Sequence, residues 1–181
     1  MHPRRPARML SALAVLALSA ALAACGTSES KSEIREGVPV ELGELQYNVL
    51  FSRLLNPNDV EDRQYLIGQP PPAPDQLYLG VFVQILNKDK EDAQPIPTDL
   101  VVTDSEHNEY HPLPTESPYA LRLGDSIGPD DQVPALDSAP QVGPIEGSLV
   151  LYVLPDEVTE DRPLELTIPG KGGPATVELD V

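Results

Sequence analysis

Leu77-Tyr78-Leu79-Gly80-Val81-Phe82-Val83-Gln84-Ile85-Leu86 is the stretch whose alternation decides the fold. Leu77, Leu79, Val81, Val83 and Ile85 are uniformly aliphatic, and at a period of two they fall on one face of a β-strand. The even positions, Tyr78, Gly80, Phe82, Gln84 and Leu86, are mixed, as suits an interior strand whose second face is covered in part by loops. Asn87-Lys88-Asp89-Lys90 then ends the run with turn-forming and charged residues. The stretch reads as the central strand of a β-sandwich.

Working outward, Leu45, Tyr47, Val49 and Phe51 alternate with Gln46, Asn48, Leu50 and Ser52, which predicts a half-buried strand with the first four residues on its core face. A second strong strand is predicted over residues 147–155, with Leu149, Leu151 and Val153 as its apolar face, packed opposite the central strand. Residues 99–103 and 109–113, joined by a turn at 104–108 and closed by Pro112, read as a hairpin. Residues 163–168 and 175–181 read as two more strands, joined through Gly170-Lys171-Gly172-Gly173. Between 56 and 76 the chain is expected to make one helical turn at 59–65, capped by Asn58 and pinned by Tyr65-Leu66-Ile67. The run 69–74 should be polyproline II, either a stiff lead into the central strand or a docking ligand. Residues 114–144 are expected to be turns, with one weak strand at 119–123. With 21 Pro and 12 Gly among short β-branched runs, the fold class is all-β, an antiparallel sandwich of about seven to eight strands.

The amino terminus carries an address. Arg4, Arg5 and Arg8 precede an apolar run over residues 9–24, too short and too alanine-rich for a comfortable permanent span. The run ends in Leu22-Ala23-Ala24-Cys25, and Cys25 is the only cysteine of the chain. These four residues resemble the lipobox of bacterial lipoproteins. The resemblance implies cleavage before Cys25, a thioether-linked diacylglyceryl group (the palmitate class of anchor), and optional N-acylation. Two acyl chains suffice for stable anchoring, whereas one is marginal. Residues 1–24 are thus read as the signal peptide, 25–43 as a polar tether about 20–25 Å from end to end, and 44–181 as the sandwich.

A chain of 181 residues fits one such domain, and a core of that size needs neither disulfide nor metal. Once Arg4, Arg5 and Arg8 leave with the signal, nine basic residues face 29 acidic ones, a balance of −20. Such a surface repels nucleic acid and anionic head groups, so neither is expected as a ligand. His107 and His111 lie four apart, but on a hairpin strand that spacing separates them by about 13 Å, too far to share an ion. Acidic clusters at Asp59/Glu61/Asp62, Asp89/Glu91/Asp92, Asp130/Asp131 and Asp156/Glu157/Glu160/Asp161 read as solvated loop charge, and none reproduces an EF-hand. Ca²⁺ held between loops at one end of the sandwich is the alternative to that reading. No nucleophile elbow, P-loop or dinucleotide fingerprint is present, so no catalytic residue, metal ligand or cofactor is assigned and an enzyme is not expected.

The lipobox, the polar stretch after it, Val81-Phe82-Val83-Gln84-Ile85-Leu86-Asn87, the hairpin from Leu100 to Tyr110 and the late Gly147-Ser148-Leu149-Val150-Leu151-Tyr152-Val153-Leu154-Pro155 together resemble a known group. They are similar to the immunoglobulin-like lipoprotein domains of Gram-positive bacteria, of unassigned function, and in architecture to the mycobacterial secreted immunogenic β-sandwich protein. The resemblance implies an Ig-like sandwich outside the cytoplasmic membrane, no enzyme activity, and no site residues beyond the lipid attachment. The Cys…Trp…Cys core of true immunoglobulin domains is absent. Abundant Pro and Ala further suggest an actinobacterial source. The expected function is a membrane-anchored, extracytoplasmic, non-catalytic module that binds a protein or cell-envelope partner. A Ca²⁺- or small-solute-binding lipoprotein is the alternative.

Overall fold

The computed structural model describes residues 31–160 and 162–181; the expected signal peptide and the expected lipobox residues Leu22, Ala23, Ala24 and Cys25 lie outside them. The strands are β1 (Lys31–Arg35), β2 (Val40–Leu42), β3 (Leu45–Leu55), β4 (Gln76–Asn87), β5 (Gln94–Pro95), β6 (Val101–Thr103), β7 (Glu109–Tyr110), β8 (Ser126–Ile127), β9 (Gln132–Val133), β10 (Ser148–Pro155), β11 (Leu164–Ile168) and β12 (Ala175–Leu179). A four-residue helix, α1 (Ala139–Val142), precedes β10. One sheet runs β1-β12-β11-β6-β7 and the other β10-β4-β3-β2, with β9 also paired to β4. A two-residue ribbon, β5-β8, stands apart from both. The all-β sandwich is as expected, although several of the twelve described strands are only two or three residues long.

β4 is interior, flanked by β3 and β10 in antiparallel register. Its odd residues Leu79, Val81, Val83 and Ile85 are at most 1% exposed and face the other sheet, where Leu100, Val102, Leu166, Ile168 and Val177 close the main core. Tyr152 of β10 joins the layers by donating its hydroxyl to the Leu100 carbonyl at 2.8 Å. The predicted hairpin is β6-β7, and the two predicted C-terminal strands are β11-β12.

Four sequence expectations are corrected. Phe51 does not join Leu45, Tyr47 and Val49 on the core face, because the β3-β4 register slips between Val49 and Phe51. Leu50 is the extra residue of a bulge, and a one-residue slip sends every later side chain to the opposite face. Phe51 therefore stacks on Phe82, with ring centroids 4.7 Å apart. β10 lies beside β4 rather than opposite it, with Leu149 across from Phe82 and Leu151 across from Gly80. Its Val150, Tyr152 and Leu154 face the main core, while Leu149 and Leu151 belong to a second cluster with Leu55, Tyr65, Leu66, Tyr78 and Phe82.

That second cluster forms because two loops cover the outer face of the β4 sheet. Tyr65 meets Phe82 edge-on at 5.3 Å and Tyr119 at 4.9 Å. The loops are cross-linked by Ser117 Oγ to the Gln64 carbonyl (2.9 Å), Tyr119 Oη to Gln64 Oε1 (2.8 Å) and Gln69 Nε2 to the Pro114 carbonyl (2.7 Å). The proline run is fastened by Tyr78, whose hydroxyl donates to the Pro70 carbonyl. The helical turn is shorter than expected, a 3-10 segment at Asp62–Gln64, and no side chain caps it, Asn58 included. Buried Asp62 instead holds this loop to β3, accepting from Arg53 at 2.6 Å and from the Asn56 N–H at 2.8 Å.

Finally, the tether expected over 25–43 is not a tether from residue 31 onward. β1 pairs with β12 in parallel, with Lys31 opposite Ala175 and Ile34 opposite Val177, and β2 pairs with β3. Ile34 packs against the main core, so the sandwich includes residues 31–43, ahead of the expected boundary at residue 44.

Candidate functional site

The histidines serve separate local structures. His107 sits in the β6-β7 turn at φ 70°, and His111 pairs through Nδ1 with Asp99 Oδ2 at 2.8 Å. The turn is organised by Asp104, which is 5% exposed. Its carboxylate accepts from the Glu106 and Asn108 N–H groups, Asn108 Nδ2 and the Tyr110 hydroxyl. Burial works against the charge, but these donors outweigh it and hold the Asp104 carboxyl below its ordinary value of 3.8. A lowered native pKa adds stability above the unfolded value, and that stability is lost as pH falls through the native one. Asp104→Asn should therefore lower unfolding free energy by about 1–3 kcal/mol at neutral pH. In urea titrations the gap from the parent should close well below pH 3.8, and a gap independent of pH would refute this role.

The acidic clusters resolve into turn chemistry. Asp59 accepts from the Glu61 N–H, and Asp89 from the N–H groups of Glu91 and Asp92 and from Gln94 Nε2. Asp156 and Glu157 open the 3-10 segment at Asp156–Thr159. Asp161 lies outside the described residues. Among the described residues, no three His, Cys, Asp or Glu side chains converge as metal ligands.

Two clefts remain. The first, about 520 Å³, lies along the outer edge of β10. Leu149, Val150 and Leu151 form its floor, Pro112 to Thr115 one wall, and Ala120 to Leu123 the other. Both walls are hooked to the strand through its backbone: the Leu113 N–H donates to the Leu151 carbonyl, the Leu121 N–H to the Leu149 carbonyl, and the Leu149 N–H to the Tyr119 carbonyl, all at 2.7–2.8 Å. Apolar walls beside a strand edge, with exposed Arg122 among the lining, suit an extended segment carrying apolar and acidic side chains. The weak alternation at 119–123 was the one sequence signal for this cleft, because its other wall is a proline-interrupted run with no period.

The second cleft, about 450 Å³, opens at one end of the sandwich among the β2-β3 turn, residues 94–98 and the β11-β12 turn. Leu42, Leu45, Tyr47 and Ile96 line it, each at most 6% exposed. Burial pushes the Tyr47 hydroxyl up to about 12. Nothing in the sequence announces this cleft, since its three segments are far apart along the chain.

No family model matches the chain, and no curated protein does either. Solved structures share the fold. An uncharacterized β-sandwich protein from Clostridium difficile matches over 84% of this chain and 95% of its own, at 15% identity and a TM-score of 0.51. The yjhA protein of Bacillus subtilis matches over 81% and 99% respectively, at 14% identity and a TM-score of 0.54. The ycdA protein of Bacillus subtilis, provisionally described as a lipoprotein, covers 80% of this chain but 38% of its own, at 18% identity and a TM-score of 0.47. At these identities the likeness to the first two establishes a shared β-sandwich fold. Among the described residues no helix is long and apolar enough to cross a membrane.

Proposed function

We propose that the chain is a bacterial lipoprotein, held on the extracytoplasmic face of the membrane through Cys25, whose Ig-like sandwich is a non-catalytic module binding a protein or envelope partner. The observation that carries the anchoring is Leu22-Ala23-Ala24-Cys25, a lipobox placed at the end of a basic-then-apolar leader around the chain's only thiol. The kinship with Gram-positive, actinobacterial Ig-like lipoproteins belongs to the same proposal. Binding is assigned to the β10-edge cleft, because its apolar walls offer side-chain pockets beside the exposed cation of Arg122.

Anchoring is tested by Cys25→Ser. The variant should be either uncleaved or released from cells, and a mature-sized band that still partitions into detergent phase would refute the lipobox. For the cleft, a photo-reactive residue replacing Arg122 should capture a discrete partner on intact cells, while the same residue replacing Val60, which is 74% exposed, should not. Equal capture from both positions would remove the cleft as the binding site.

A further inference from the structure

The start of β1 and the second cleft share one pole of the sandwich. The Lys31 N–H donates to the Pro174 carbonyl at 3.0 Å, and Lys31 Nζ reaches the Glu41 carbonyl oxygen. Across the same pole the two turns press together so closely that a Cβ on Gly170 would fall 2.5 Å from Leu42 Cβ. Leu42, Gly170 and Lys171 all line the cleft. Its mouth therefore opens where the chain enters the domain.

Only residues 26–30 separate Cys25 from Lys31. Six steps of extended chain span at most about 20 Å. Had the sandwich begun at residue 44, the tether would have left its orientation open. With β1 docked, the pole carrying the cleft is the one held next to the bilayer, and the acyl chains on Cys25 sit within reach of its mouth. A linker this short also gives a tethered group a high effective concentration at a nearby site.

The cleft's chemistry is that of a fatty-chain site. Leu42, Leu45, Ile96, Pro95 and Pro169 supply apolar walls, and its volume of about 450 Å³ lies in the ordinary range for small-molecule pockets. Of its polar lining residues, Glu44, Thr98 and Lys171 are exposed, and the Thr98 hydroxyl and Lys171 ammonium are able to donate to an ester carbonyl at the mouth. We propose that this cleft receives one fatty-acyl chain of the Cys25 lipid anchor. The inference rests on the anchoring reading above. On a Cys25 without N-acylation, seating one chain of the diacylglyceryl group leaves one in the bilayer, and a single chain gives only marginal, reversible attachment. The cleft would thus loosen the anchor when filled and strengthen it when emptied.

The test uses the full chain in its own membrane. Cells fed a fatty acid with a terminal diazirine incorporate it into phospholipid and from there into the diacylglyceryl group of lipoproteins. After irradiation, the label on Cys25 should be cross-linked to peptides containing residues 42–47 or 94–98. Thr98→Trp, a change at an exposed lining residue that fills the mouth, should abolish that cross-link while leaving Cys25 labelled. Cys25→Ser should show no cross-link in the cleft. Label on Cys25 joined only to phospholipid overturns the inference and leaves anchoring intact. Equal cross-linking of the cleft in Cys25→Ser assigns it to a free membrane lipid and overturns the own-anchor claim. Absence of label from Cys25 overturns the anchoring reading and this inference with it.

Discussion

Val83→Asp is expected to leave the domain unfolded at room temperature, whereas Gln84→Asp should melt within a few degrees of the parent. Val83 is 1% exposed in the main core, and in the ladder it stands between Val49 and Ser148. No cation lies opposite it in either flanking strand. A carboxylate there must be buried unpaired or protonated, at a cost of several kcal/mol against a total stability of about 5–15 kcal/mol. Gln84 is half-buried on the other face, across from Asn48. A loss of about 1 kcal/mol at that site corresponds to roughly 2–4 °C for a domain of this length. Thermal melts followed by circular dichroism decide the matter, and similar melting temperatures for the two variants would show that the inward face of β4 is misassigned.

Asn87→Asp should be among the most damaging single changes outside the apolar core, and worse than Asn87→Ala. Asn87 is fully buried at the end of β4. Its Nδ2 donates to the carbonyls of Asp92 (3.0 Å), Ile127 (3.2 Å) and Gly128 (2.8 Å), and its Oδ1 accepts from the Asp89 N–H at 3.0 Å. One amide thereby helps bind two loops, which the Asp130 N–H to Asp89 carbonyl bond at 2.7 Å also joins. Alanine strands these buried groups at about 1–3 kcal/mol each, with some relaxation, so a loss of about 3 kcal/mol is expected in urea unfolding. Aspartate keeps the acceptor but aims negative charge at three carbonyl oxygens. Hydrogen exchange should quicken at residues 88–92 and 127–131 in both variants. If Asn87→Asp proves milder than Asn87→Ala, the amide is not the donor hub described.

The inward face of β4 was legible because five aliphatic residues at a period of two admit one reading. The second cluster was half legible: Tyr78 and Phe82 on the even face pointed to cover, but nothing identified Tyr65 and Tyr119 as what provides it. The bulge at Leu50 left no trace, since Val49, Leu50 and Phe51 are all apolar and the slip is a property of backbone register. The position of β10 is illegible for a related reason. Its residues are apolar on both faces, so the pattern could not separate a neighbour in the same sheet from a strand in the opposite one. β1 resembles a tether in sequence because Lys-Ser-Glu-Ile-Arg has one apolar residue, and an edge strand docked through its backbone needs little more. The clefts were illegible because each is assembled from segments brought together only by the topology.

The bulge also bears on how the domain comes apart. β3 gives Leu45, Tyr47 and Val49 to the main core and, past Leu50, Phe51 and Leu55 to the aromatic cluster. One β3-β4 ladder, bulged at Leu50, thus runs through both. Neither core can melt while the other keeps that ladder whole, so the two share a single cooperative unit. Heating should give one transition, with main-core and aromatic-layer probes moving together.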